Sequence, residues 1–205
     1  MRQERVLNVA KELARKGELE GLRLLVRAAV LLLMAEAMLN WAADGRDMPH
    51  FLDHAIPEPV IRAMKYHGVE VRYGPPKSLT LGLAKDTVVS FPWRTDRMEK
   101  ALENIGKTRW EYDEANHKVY YYRPIGVGFF TNGLHSGAVG ILKREGRVPA
   151  TEVDLTPLYA AGFGIEWQDG VALAVFRDKV VPMDHPHHAL LLALGEVLYR
   201  YGLSL

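Results

Sequence analysis

The chain has 205 residues, 48% of them apolar, a formal net charge of +1 and no cysteine. That length suits one domain, or one domain with a helical appendage, and the apolar share supplies a sizeable core. The missing cysteine excludes disulfides, thiolate catalysis and cysteine zinc sites and fits a reducing cytoplasm, while near-zero net charge argues against nucleic-acid binding by bulk electrostatics.

Val6, Leu7, Ala10, Leu13 and Ala14 make one apolar stripe, so a first helix is expected up to Gly17. It follows charged residues rather than a leader peptide. A second helix is expected over 19–43, stopped by Gly45. Its centre, residues 28–35, is apolar almost all round but far short of the ~20 residues a membrane span needs. It reads as a helix buried among other elements or in a homodimer. Pro59 suits the start of a short helix over 60–67, closed by Gly68. Residues 69–73 alternate like a strand, and Gly74-Pro75-Pro76 marks a boundary. The expected organisation is a helical segment over 1–74 and an α+β domain over 75–205, or one compact unit.

Short strands are expected at 79–83 and 87–91. Thr95 then suits an N-cap, and Met98, Ala101, Leu102 and Ile105 give an apolar helix face up to Gly106. Alternating aromatics, Trp110 with Tyr112 and Tyr120 with Tyr122, suggest a hairpin of 108–112 with 118–122. Residues 126–142 read as strand, tight turn at Asn132-Gly133, then helix, with Gly146 as its stop. A strand over 148–155, a hairpin of 163–167 with 171–176, and a helix over 189–201 complete the chain. The fold class is therefore α+β, a small mixed sheet with packed helices.

The turn at 129–140 carries the chemistry. A helix opened abruptly from a strand aims free N–H groups and a positive dipole end at one point, which suits a phosphate or other anion. Asn132, Gly133, Leu134, His135 and Ser136 form the candidate anion site. Arg94 and Arg97, beside the start of another helix, supply guanidinium forks. His135 can donate to an anion or instead hold a backbone group, and Asn132 can position a ligand or simply supply the turn.

Asn-Gly-Leu-His-Ser at 132–136 resembles the Gly-x-His-Arg turn of the ParB/sulfiredoxin-like fold, and the stretch Val88-Val-Ser-Phe-Pro-Trp-Arg94 with the helix after it resembles that fold's Asn-Pro-x-Arg segment. The likeness covers about residues 86–145. It implies a nucleotide- or phosphate-binding module, with a nucleotide such as CTP or ATP, and Mg²⁺, as the ligand class. Leu134 stands where sulfiredoxin has its nucleophilic cysteine, so sulfinic acid repair is excluded. Ser136 stands where both branches have arginine, which removes one strong phosphate ligand. Two other readings remain: a non-catalytic protein-interaction domain, and a metal-dependent phosphodiester or nucleotide hydrolase.

The remaining clusters have plainer explanations. Asp184-His185-Pro186-His187-His188 is the densest set of metal-ligand types, but adjacent helical histidines point apart, so exposed histidines behind an Asp184 cap are expected. His50 and His54 lack a third ligand nearby. Glu111, Asp113 and Glu114 read as solvated turn charges, and Gly126 and Gly128 fail the dinucleotide spacing.

Overall fold

The computed structural model describes residues 2–44, 57–183 and 186–205. His50, His54, Gly45, Asp184 and His185 lie outside the described residues. Two helices open the chain, α1 (Arg2–Lys16) and α2 (Leu19–Asp44), followed by α3 (Glu58–Tyr66). Gly17, at φ 72°, makes the break between the first two. Then come β1 (Arg72–Tyr73), β2 (Leu79–Gly82), β3 (Val88–Val89), α4 (Thr95–Lys107), β4 (Lys118–Arg123) and β5 (Val127–Asn132). The chain continues with α5 (Leu134–Lys143), β6 (Arg147–Asp154), α6 (Thr156–Ala160), β7 (Gly164–Gln168), β8 (Val171–Phe176), β9 (Lys179–Pro182) and α7 (Pro186–Arg200). The fold is α+β, as its sequence pattern implies.

The main sheet runs β1-β6-β4-β5-β3, with β2 paired to β6 beside β1. It is mixed: β4 is parallel to β6 and antiparallel to β5, and β3 is parallel to β5. β5 lies between β4 and β3 and is buried from Val127 to Phe130, which explains its continuous apolar run. A second, antiparallel sheet runs β7-β8-β9. Helix α7 is apolar all round because α1, α2, β7 and β8 pack about it. One core cluster runs from Ala10 in α1 to Leu205, so the N-terminal helices share their apolar interior with the rest.

Several expectations meet a different outcome. Residues 108–112 form no strand; β4 instead makes its hairpin with β5, across a cis Arg123–Pro124 bond. Trp110 turns into the core, and its backbone N–H donates to the Glu145 carboxylate rather than to a strand partner. Arg94, not Thr95, is the N-cap of α4, and Arg144, at φ 56°, closes α5 ahead of Gly146. Among 69–73 only Arg72–Tyr73 pairs as strand. Of the two expectations for α2, burial among other elements of the chain holds for one face, through Leu22, Val26, Ala29, Val30, Leu33 and Met34, while Leu24, Leu31 and Leu32 are exposed in the single chain. No helix of the described residues is long and apolar enough to cross a membrane.

Candidate functional site

Gly133 is the hinge between β5 and α5. Its φ of 71° is a left-handed conformation that glycine adopts without steric cost. The same glycine leaves room for His117, whose ring would lie 2.4 Å from a Cβ built there. Helix α5 begins at once, with the N–H of Gly137 donating to the Gly133 carbonyl at 2.8 Å. No side chain caps its start, so the N–H groups of Leu134, His135 and Ser136 have no partner within the helix.

The start of α4 is fastened to this turn. The Arg94 backbone N–H donates to Nε2 of His135 at 3.1 Å, and Ser90 Oγ donates to the Leu134 carbonyl at 2.6 Å. Two helix N-termini, both with positive dipole ends, are thereby held together. Because Nε2 accepts, the neutral His135 ring carries its proton on Nδ1, which remains a donor. Burial, followed by the positive charge of Arg97, pushes its pKa below the ordinary histidine value. The ring stays neutral near pH 7.

Trp93 lies beside this junction, 6.2 Å from the His135 ring between centroids. The Arg94 and Arg97 guanidinium carbons lie 5.8 and 5.9 Å from the Trp93 ring centre. Arg94 closes a two-point pair on Asp96, Nε to Oδ1 at 3.0 Å and a terminal nitrogen to Oδ2 at 2.9 Å. That hydrogen bonding holds the Asp96 carboxyl below its ordinary range. The pair is exposed, so it contributes little and a competing anion can displace Asp96. Among the described residues Arg97 has no carboxylate partner.

Ser136 and His117 are in direct contact, 2.7 Å from Oγ to Nε2. A serine beside a histidine suggests a nucleophile and its base, but the hydrogen bonds rule this out. His117 Nδ1 accepts the Asp113 backbone N–H at 2.9 Å, so Nε2 carries the proton and donates to Ser136. Ser136 Oγ in turn donates to the Gly133 carbonyl at 3.0 Å. The serine side chain is therefore spent on the turn. Burial lowers the His117 pKa, outweighing the Asp113 charge, and the ring stacks on Trp110 at 4.8 Å. Trp110 Nε1 donates to the Ser136 carbonyl at 2.8 Å, packing the loop before β4 onto the first turn of α5.

The seven sequence-predicted residues thus separate into three groups. Leu134, His135 and Ser136, with Gly133 as the hinge before them, offer backbone N–H groups, His135 adds Nδ1–H, and Arg94 and Arg97 stand at the adjoining helix start. The side chain of Leu134 is buried in the core. Asn132 is exposed at the end of β5, opposite Lys118 in the register. Sequence reasoning missed His117, Trp110 and Trp93 as parts of the site. The Trp93 signal was its place between Pro92 and Arg94; nothing local marks His117.

Beyond the Asp113 backbone N–H on His117, the other clusters have partners of their own. Glu114 pairs with Lys77, and Asp113 Oδ1 accepts the Ala115 N–H. His187 Nδ1 lies 3.1 Å from Glu36, and His188 is buried, so these two histidines are not the exposed pair expected. Among the described residues no three His, Cys, Asp or Glu side chains come together as a metal-ligand set. A cleft of about 430 Å³ lies between α3 and the sheet, lined by Ile61, Met64, Val71, Tyr73, Tyr122 and Val153 among others, and shares no residue with the turn.

Residues 3–168 match the family of unknown function DUF6710, and the chain belongs to that family. No curated protein and no solved structure matches it.

Proposed function

We propose that this DUF6710 member is a nucleotide- or phosphate-binding module whose anion sits where the starts of α4 and α5 meet. The observation that carries this reading is the Arg94 N–H to His135 Nε2 bond, which joins two positively polarised helix ends beside two arginines. In this reading the N–H groups of 134–136 and His135 Nδ1–H grip a phosphate, and Arg97 and Arg94 neutralise it. Trp93 and Ser136 position these groups. The likeness of 132–136 and 88–94 to the ParB/sulfiredoxin-like turn supports the same ligand class, with CTP and ATP as the nucleotides to try first. A metal-dependent hydrolase has no ligand set among the described residues to support it.

Thermal unfolding with inorganic phosphate, CTP or ATP, each with and without Mg²⁺, tests the proposal. A binder of the native state raises the midpoint with concentration, by roughly 2.7 kcal/mol of stability at a hundred times its dissociation constant. Arg97→Ala should retain the fold and lose that rise. No rise with any of the three at millimolar concentration would leave the interaction-domain reading in its place.

A further inference from the structure

One face of the main sheet carries a slot between two tyrosines. Tyr73 on β1 and Tyr122 on β4 are both register partners of Val153 on β6, so the three side chains stand in one row across neighbouring strands. Two strand spacings separate the tyrosines, roughly 9.6 Å at the backbone. Each ring is held by an edge contact, Tyr73 on Tyr120 at 5.9 Å and Tyr122 on Phe129 at 5.2 Å between centroids. Ile61 and Met64 of α3 face this row across the cleft of about 430 Å³. That volume lies within the range of small-molecule sites.

The charges that line the cleft are sorted by end. Glu58 opens α3 and is paired with Arg62 at 3.0 Å. Lys65 stands two helical turns further on, about 10 Å along the axis. Val69 folds back onto that last turn, its N–H donating to the Met64 carbonyl at 2.8 Å, which brings Glu70 to the same end as Lys65. Lys65 and Glu70 both line the cleft and are exposed, and among the described residues neither side chain has an ion pair or a hydrogen bond.

We infer that this cleft binds a free aromatic amino acid. Lys65 meets the α-carboxylate, Glu70 meets the α-ammonium, and the aromatic side chain lies over Val153 between Tyr73 and Tyr122. A ring midway between the tyrosines is ~4.8 Å from each, inside the ~4.5–7 Å separation that aromatic pairs prefer. An unpaired ammonium and an unpaired carboxylate at one end complement a zwitterion, whereas a plain amine or a plain acid would answer only one of them. The cleft shares no residue with the turn at 133–136, so this inference stands or falls apart from the anion site.

Titration calorimetry of the full chain with L-phenylalanine and L-tryptophan tests this. Saturable binding of either is expected. Phenethylamine and 3-phenylpropionate each lack one head group and should bind about tenfold more weakly, the weight of one charge-assisted hydrogen bond. Lys65→Met should weaken L-phenylalanine and spare phenethylamine, and Glu70→Gln should weaken L-phenylalanine and spare 3-phenylpropionate. Both side chains are exposed, so an unchanged circular dichroism spectrum is expected of each variant. No binding of either amino acid at millimolar concentration would overturn the proposal. So would phenethylamine, 3-phenylpropionate or L-alanine binding as tightly as L-phenylalanine, or an affinity for L-phenylalanine indifferent to either substitution.

Discussion

The backbone N–H of Arg94 and Nε2 of His135, 41 residues apart in sequence, meet at 3.1 Å and join the first residues of α4 to the first turn of α5. His135→Ala removes the acceptor and leaves a partly buried N–H without its partner. The expected cost is about 1–3 kcal/mol in urea denaturation. His135→Gln, which keeps an acceptor, should recover part of it. Equal losses for both would show that the ring's packing, not its hydrogen bond, matters.

Acid should loosen the site. His117 and His135 both have folded pKa values depressed chiefly by burial, and each ring accepts a backbone N–H that protonation would oppose. The unfolded chain takes up protons first, near the ordinary histidine value of 6.5. Their contribution is therefore fully present above that pH, is lost as the pH falls through the depressed folded values, and levels off below them. The unfolding midpoint, followed from about pH 8 to about pH 5, should fall below 6.5, and His135→Gln should flatten that part of the slope. An equal slope in the variant would assign the effect to other groups.

Sequence periodicity found the long helices, the strand–turn–helix at Gly133 and the hairpin of β7 with β8, because these rest on local spacing and turn chemistry. It failed at 108–112, where Trp110 and Tyr112 alternate as a strand would. There Trp110 N–H goes to Glu145 and Asp113 N–H goes to His117, partners that alternation cannot disclose. The candidate turn was legible for the same local reason. Its support was not, since His117 and Ser136 are 19 residues apart and Arg94 and His135 are 41. Helix α2 illustrates a different limit: an apolar surface all round does not say how many of its faces the chain itself will cover.

Two glycines with similar backbone angles should respond differently to alanine. Gly146, at φ 101°, would place a Cβ 2.1 Å from the Trp110 ring, whereas Gly162, at φ 95°, has open space around it. Gly162→Ala should cost only its backbone strain, roughly 1–2 kcal/mol. Gly146→Ala should cost that strain and a further 1–3 kcal/mol or so from overpacking, read as a lower denaturation midpoint. Equal costs would mean that Trp110 can move aside freely.

Neighbouring leucines of α2 should also differ. Leu33 is 1% exposed and Leu32 is 47% exposed. Leu33→Asp buries an unpaired charge and should cost on the order of 3–5 kcal/mol of fold stability. Leu32→Asp should stay within about 0.5 kcal/mol for the isolated chain. A large loss from Leu32→Asp in a sample shown to be monomeric would contradict the placement of that face in solvent.

The most direct measurement of the anion site is a ¹⁵N-edited NMR titration of the chain with inorganic phosphate. Saturable shifts of the Leu134, His135 and Ser136 amides, together with the Arg94 and Arg97 side-chain N–H signals, are the result expected from joined helix ends. Unmoved amides at 134–136, or shifts confined to residues elsewhere, would contradict it.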